Sequence, residues 1–172
     1  KIDVIEWNPD AAVYISKAIS PARVSGVYLN HGKGDDKTAM VVVPEDQLSL
    51  AIGREGQNAR LAAKLTGWRI DIMSVSEAAS KALVQLRSDP GLAKLAAEET
   101  DTMARVETLL EQKEEGRVLN LDDSNLIARF VDRVEKHGEA DRKVEEDARL
   151  AEIRKIRESI DPRAFELNLF DV

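Results

Sequence analysis

Two glycines three positions apart are the residues of this chain best suited to a specific chemistry. Gly53-Arg54-Glu55-Gly56 follows one short apolar segment and precedes an amphipathic one, which predicts a tight loop between two helices. Glycine lets the backbone approach a bulky ligand closely, and the free N–H groups at the start of the second helix face the same space. Such a loop suits the binding of a nucleic-acid backbone.

The helix predicted after the loop carries polar side chains at helical spacing. Gln57, Arg60 and Lys64 lie three and then four positions apart, which places them on one helix face, and Leu61 and Leu65 are expected on the neighbouring core-facing side. The basic face is a candidate phosphate-binding surface, and an ordinary solvated face is the alternative. Inside the loop, Arg54 can neutralise one phosphate while Glu55 works against it.

Two isoleucines flank this region and are candidates for an apolar floor under a base. Ile52 comes directly before the loop and Ile70 lies in the next strand-like segment, although core packing explains either residue equally well. Trp68 is expected to be a core anchor. The predicted nucleic-acid site comprises Ile52, Gly53, Arg54, Glu55, Gly56, Gln57, Arg60, Lys64 and Ile70.

The sequence does not favour catalysis or a metal site. His31 and His137 are the only histidines, and neither has a carboxylate or hydroxyl partner at the spacing of a metal site or a catalytic triad. The chain has no cysteine. We therefore expect no enzyme activity, no catalytic residue, no metal and no cofactor.

The elements that must position the loop follow from periodicity and turn signals. Asn8-Pro9 predicts a helix start, residues 24–30 a strand and residues 31–36 a polar turn. Residues 39–43 end a second strand at Pro44, and residues 68–73 alternate as a third strand. The order is helix, strand, strand, helix, G-x-x-G, helix, strand. This is the type II order of KH domains, in which a G-x-x-G loop clamps about four nucleotides of single-stranded RNA.

Residues 41–68 carry a more specific resemblance. The run from Val41-Val42-Val43-Pro44 through the loop to Gly67-Trp68, together with residues 19–24, resembles the second KH domain of the NusA family of bacterial transcription factors. The resemblance covers residues 8–74. It implies that a polymerase-binding domain, an S1 domain and a first KH domain precede Lys1 in the intact protein.

The flanking regions are expected to differ from this domain. Residues 1–7 are interpreted as the end of a preceding KH domain or a linker, because residues 2–5 resemble residues 70–73. Residues 75–172 are predicted to be an acidic helical region. Helices are expected to begin at Ser76, at Asp89-Pro90 and at 122–124, the last ending before His137-Gly138. Their predicted apolar stripes are Ala79, Leu83 and Leu86; Leu92, Leu95, Met103, Val106 and Leu110; and Leu126, Ile127, Phe130, Val131 and Val134.

The last part of the chain is less patterned. Residues 139–160 are predicted to form a mostly charged helix, with a small stripe of Val144, Ala148 and Ala151, and an apolar tail follows at 165–170. The NusA resemblance does not extend to residues 75–172. Their charge alone motivates the hypothesis of a partner-binding or RNA-mimicking role.

Charge and composition set the broad class. The net charge is −7, yet residues 1–74 carry 9 basic and 9 acidic residues, so the excess acid lies in residues 75–172. Apolar residues make up 43% of the chain, and no apolar stretch is long enough to span a bilayer. We expect a soluble, cytoplasmic α+β protein, with a type II KH domain of three strands and three helices followed by an all-α region.

The predicted function is that of the RNA-binding part of a transcription factor. As the resemblance implies, it would hold single-stranded nascent RNA and modulate elongation, pausing, termination and antitermination by RNA polymerase. The expected partners are RNA, RNA polymerase and other transcription factors, with no membrane, and the chain is expected to be a monomer. The alternative is a protein-interaction scaffold with a degenerate KH fold and partner-binding acidic helices.

Overall fold

The computed structural model describes residues 4–31 and 36–159. The elements of the first part are α1 Ala11–Ala18, β1 Gly26–His31, β2 Lys37–Val43, α2 Leu48–Ile52, α3 Gln57–Thr66 and β3 Arg69–Ser74. Those of the second part are α4 Val75–Ser88, α5 Ala93–Glu98, α6 Thr100–Glu114 and α7 Leu121–Ser159. Short 3-10 turns lie at Glu45–Gln47, Arg54–Gly56 and Pro90–Leu92.

The three strands form one sheet in the order β1-β2-β3. β1 pairs antiparallel with β2, with Val27 opposite Val41, and β2 pairs parallel with β3, with Val41 opposite Ile72. The predicted order of strands and helices is confirmed, as is the α+β class. The apolar tail at 165–170 and most of the predicted turn at 31–36 lie outside the described residues, as do residues 1–3, while residues 4–7 form no strand.

The central strand β2 is buried on both faces. Ala39, Val41 and Val43 point to one side, where they pack with α1, α2 and α3 around Ile15, Ile19 and Ala51. Met40 and Val42 point to the other side and join a second apolar cluster with residues of α4, α6 and α7. This explains why β2 is a continuous apolar run, since alternation is expected only where one face meets water.

The helical region supplies the cover for that second face. The buried side chains of this cluster include those of Leu83, Leu86, Val106, Ile127 and Phe130, which confirms the predicted stripes as core. Tyr28 of β1 also belongs to the cluster, and its hydroxyl lies 3.2 Å from Oδ1 of Asp132 in α7. The sheet therefore has helices on both faces.

Several predicted helix starts are wrong by a few residues. The N-cap of α1 is Asp10, whose Oδ1 accepts from the N–H groups of Ala12 and Val13 at 2.9 and 3.2 Å, while Asn8 accepts from the N–H of Asp10. A carboxylate at this position is at least as good a cap as Asn8. In α4 the cap is Ser74, which accepts from Glu77 three residues on, as in a capping box.

The later helices also differ from the prediction. The helix expected from Asp89-Pro90 divides at Glu99, a buried carboxylate that lies 2.7 Å from Nη1 of Arg133. The helix expected to end before His137-Gly138 continues to Ser159 and begins at Leu121, where Asn120 Oδ1 accepts from the N–H of Asp123 at 2.7 Å. One glycine costs a helix only about 1 kcal/mol, and no proline lies between Gly138 and Ser159 to stop the helix.

The described chain divides into two compact units. The first contains residues 4–137 and the second residues 138–159, so α7 contributes to both. In the second unit Val144, Leu150, Ile153 and Ile156 are exposed. Over the described ranges, no helix is both long and apolar enough to cross a membrane.

Candidate nucleic-acid interface

The G-x-x-G loop has a backbone conformation that requires glycine. Gly53 has φ +75° and ψ 174°, a region open essentially to glycine alone, and Gly56 is left-handed at φ +74°. Between them Glu55 is also left-handed, at φ 55° and ψ 26°. The chain therefore turns sharply between α2 and α3, and it exposes the side chains of Arg54 and Glu55.

Three of the five backbone N–H groups from Gly53 to Gln57 already donate within the loop. Gly53 donates to the carbonyl of Ser49 at 2.9 Å, Gly56 to that of Gly53 at 3.1 Å, and Gln57 to that of Arg54. These bonds do not involve the N–H groups of Arg54 and Glu55. The backbone N–H groups that remain as candidates for binding phosphate are therefore those of Arg54 and Glu55, together with those at the start of α3.

The start of α3 is suited to an anion. Gly56 is its N-cap and provides no side-chain hydrogen bond, and the ten-residue helix directs its positive end toward the loop. Gln57, Arg60 and Lys64 are exposed, as expected. Nη2 of Arg60 lies 3.3 Å from the carbonyl oxygen of Glu55, so this guanidinium also supports the loop.

The basic side chains of this surface have no ionic partner among the described residues. Within the part of the chain that the structure describes, no carboxylate lies within 4.0 Å of the cationic groups of Arg54, Arg60 or Lys64. Their charge is therefore available to an external anion. Together with the uncapped helix start, these cations make the loop and α3 the most anion-receptive surface around the G-x-x-G sequence.

The assignment of Leu61 and Leu65 to the core is wrong. Leu61 is 57% exposed and Leu65 is 47% exposed, whereas Ala62 faces the core at 1%. The inner face of α3 packs against α1 and β3, and Ala62 is its buried member of the core cluster. The helical spacing of the leucines identifies a shared face, but it does not specify which face of α3 meets the sheet.

The isoleucines proposed as an apolar floor have different surroundings. Ile52 is half-buried at the end of α2 and belongs to neither of the two core clusters. Ile70 is also half-buried, but it packs against the core cluster that contains Ile15. α2 and α3 both contact β3, the edge strand that carries Ile70. Ile52 is therefore the better candidate for contact with a base.

Trp68 is a core anchor, as predicted. It is 9% exposed, and its ring meets that of His31 edge-on at a centroid separation of 5.1 Å. No group of histidine and acidic side chains in the described ranges is arranged to hold a metal ion.

Sequence reasoning missed Asn58. Its Nδ2 donates to the carbonyl oxygen of Leu50 at 2.9 Å, which joins α3 back to α2 across the loop. An asparagine in the first turn of a helix, just after a glycine loop, is the signal that could have indicated it. Asparagine is unfavourable inside helices unless its side chain makes a local hydrogen bond.

A three-stranded mixed sheet, three helices on one face and a left-handed G-x-x-G turn between the second and third helices define a type II KH domain. Residues 11–80 match the family model for the NusA-like second KH domain. This part of the chain is therefore similar to a NusA-like second KH domain, and the match ends inside α4.

Curated relatives agree with this assignment. "Transcription termination/antitermination protein NusA" of Halalkalibacterium halodurans is 53% identical over 85 residues, which are 49% of this chain and 22% of that protein. The Bacillus subtilis protein of the same name is 51% identical over 78 residues, 45% of this chain and 20% of that protein. The Mycobacterium tuberculosis protein of that name is 57% identical over 72 residues, 42% of this chain and 20% of that protein. The chain spans about a fifth of the length of these relatives.

Proposed function

We propose that this chain binds single-stranded RNA and is the RNA-binding part of a cytoplasmic transcription factor. In this role it holds nascent RNA while RNA polymerase elongates, pauses, terminates or passes a terminator. The relatives named as transcription termination/antitermination proteins support the transcriptional part of the proposal. RNA polymerase and other transcription factors are its proposed partners, and the chain acts as a monomer without an enzymatic step.

One observation carries the RNA-binding part of the proposal. The G-x-x-G loop holds the non-glycine residue Glu55 in the left-handed region. Three exposed cations without a described carboxylate partner lie in the loop and along α3, with Lys64 in the last turn of that helix. Neither feature adds to the stability of the fold, because Glu55 is a non-glycine residue held in the left-handed region and the cations form no ion pair among the described residues. Both features suit a phosphate backbone that lies over the loop.

The same surface limits the affinity. Glu55 lies between Arg54 and the helix start, and residues 1–74 have no net positive charge. With few cations to displace counterions, RNA binding should depend only weakly on salt. No aromatic side chain lies in the loop to stack on a base. We therefore propose modest affinity and limited sequence preference for this domain alone.

The proposal is tested by placing a carboxylate at the loop without disturbing the fold. Gly56 is suitable because a side chain there meets open space, and aspartate tolerates the left-handed region better than most residues. Gly56→Asp should weaken the binding of a fluorescein-labelled random 12-nucleotide RNA at least about 10-fold through charge repulsion at the phosphate site. The measurement is fluorescence anisotropy at fixed salt with the whole chain.

Gly67 provides a matched control. It ends α3 with φ +72° and ψ 14°, nearly the same as Gly56 at φ +74° and ψ 17°, and a side chain there also meets open space. Gly67→Asp therefore carries the same backbone strain and the same charge at the other end of the helix. Equal affinities of the two variants would contradict RNA binding at the loop and would favour the scaffold alternative.

A further inference from the structure

A side chain of α3 holds the end of α2 in place. α2 has only five residues, too few to be stable as an isolated helix, and its last carbonyl groups lack partners within the helix. The N–H of Gly53 satisfies the carbonyl of Ser49, and Nδ2 of Asn58 satisfies that of Leu50 at 2.9 Å. The C-terminus of α2 is thus capped by a residue of the next helix.

Asn58 also lies against Gly53. A Cβ atom added to Gly53 would lie 2.6 Å from Cγ of Asn58 and 2.8 Å from its Nδ2, closer than real Cβ atoms approach their neighbours. The absence of a side chain at Gly53 therefore makes room for the Asn58 amide, in addition to permitting φ +75°. The first glycine of the loop is required by a contact within the chain, whatever the loop binds.

The other side of the loop is held in the same way. Nη2 of Arg60 donates to the carbonyl oxygen of Glu55 at 3.3 Å. Two side chains in the first turn of α3 therefore hold carbonyl groups on either side of Arg54, one in α2 and one in the loop. These two bonds restrain the backbone on both sides of Arg54.

We infer that Asn58 is a positioning residue of the RNA site, which fixes the angle between α2 and α3 and so presents the loop in its binding conformation. The consequence for RNA rests on the proposed function. The consequence for loop conformation does not, because it concerns only contacts within the chain. A preformed loop loses less conformational entropy when it binds, so loss of the Asn58 amide weakens binding without removal of any group that contacts RNA.

The test uses Asn58→Ala in the whole chain, a change that leaves the net charge unaltered. Affinity for the random 12-nucleotide RNA should fall about 3- to 10-fold, as expected for one hydrogen bond. Amide NMR shifts of residues 50–57 should change without RNA, while those of β2 stay constant. Asn30→Ala is the control, since Asn30 is exposed on β1, and it should alter neither measurement.

A double-mutant cycle separates positioning from general destabilisation. Gly53→Ala should weaken RNA binding in the native background, because the added methyl group displaces the Asn58 amide and strains the backbone. In the Asn58→Ala background the methyl group has room, so the further loss of affinity should be smaller, and only the strain should remain. Additive losses would overturn the inference.

The remaining outcomes also decide the matter. If Asn58→Ala left both the loop shifts and the RNA affinity as they are in the native chain, Asn58 would not position the loop. If the native chain did not bind the RNA at all, the proposed function would fail, while the NMR shifts of Asn58→Ala would still confirm or overturn the role in loop conformation.

Discussion

The cations around the G-x-x-G loop and those of the helical region differ in what they contact. In the helical region Lys113 lies 2.7 Å from Glu45, Arg133 lies 2.7 Å from Glu99, and Arg87 pairs with Glu107. Around the loop, Arg54, Arg60 and Lys64 have no carboxylate within ion-pair distance among the described residues. Some cations of the helical region thus form ion pairs within the fold, whereas these three stay available for a ligand.

This difference corrects an impression given by the net charge. An overall charge of −7 argues against an RNA-binding protein. However, several basic residues of the helical region already form ion pairs within the fold. The surroundings of each cation therefore indicate RNA binding better than the net charge does. The two regions belong to one fold, because their core clusters include residues from the same strand, β2.

The largest expected effect tests whether the two regions fold as one. Ile127 of α7 is fully buried in the core cluster that includes Met40 and Val42 of β2. Ile127→Ala should lower the free energy of unfolding by about 2–5 kcal/mol, through lost burial and the cavity that remains. Urea unfolding followed by far-UV circular dichroism and by tryptophan fluorescence should show the same shift in both signals. The fluorescence reports the buried Trp68, which lies in the opposite core cluster, as well as the exposed Trp7.

Ile153→Ala is the matched control for that experiment. Ile153 lies in the same helix but is 49% exposed in the second unit, so its replacement should change the free energy of unfolding by no more than about 0.5 kcal/mol. If Ile127→Ala shifted only the circular dichroism, the KH domain would fold independently of the helices, and removal of residues 75–172 would become a clean test of their function.

The next effect tests the unpaired cations. Arg54→Glu with Lys64→Glu should weaken RNA binding more than about 10-fold, and it should reduce the slope of log affinity against log salt by about 1.4, the value for two lost phosphate contacts on a single strand. The double variant Lys94→Glu with Arg105→Glu makes the same charge change on exposed residues of the helical region. Equal losses in the two variants would show that net charge, and not the loop surface, controls binding.

The smallest effect concerns Glu45, the carboxylate that pairs with Lys113. Glu45 accepts from the N–H of Ser76 and pairs with Lys113; burial raises its pKa, but these bonds outweigh burial and hold the pKa below its ordinary value. The lowered pKa means that this stabilisation is present at neutral pH and is lost as the pH falls below about 4.5. Because Glu45 is partly exposed, Glu45→Gln should cost at most about 1 kcal/mol at pH 7.

The measurement is the unfolding free energy of both proteins between pH 3 and 7, and the difference should shrink on the acidic side. RNA affinity at pH 7 should not change, because Glu45 lies outside the loop. An RNA-binding defect in Glu45→Gln would contradict the separation between paired and ligand-accessible charges.

Much of the fold follows from short-range patterns in the sequence. The glycine spacing, the strand that ends at Pro44 and the alternation after Gly67 were sufficient to predict the order of elements, because each pattern depends on local backbone preferences. What failed depends on long-range packing. Leu61 and Leu65 are exposed because α3 turns the face that carries Ala62 toward the core, and the spacing of its apolar residues alone does not show which face that is.

The candidate site was predictable to a similar extent. Glycines that need left-handed backbone can be recognised from their spacing, and so can a run of cations on one helix face. The hydrogen bond from Asn58 to Leu50 joins residues eight positions apart, and its direction depends on the loop between them. The same holds for Arg60, which was assigned to phosphate and also donates to the carbonyl of Glu55.

The position of β2 also has a consequence for measurement. Neighbouring strands pair with both of its edges, and side chains cover both of its faces, so Ala39–Val43 are buried until the sheet or its helical cover opens. The amide hydrogens of this strand should therefore exchange with deuterium last, at a rate that reports global unfolding. In every comparison of loop variants, the exchange rate of the β2 amides is thus an internal reference for global unfolding, and a change in the loop amides alone reports a local effect.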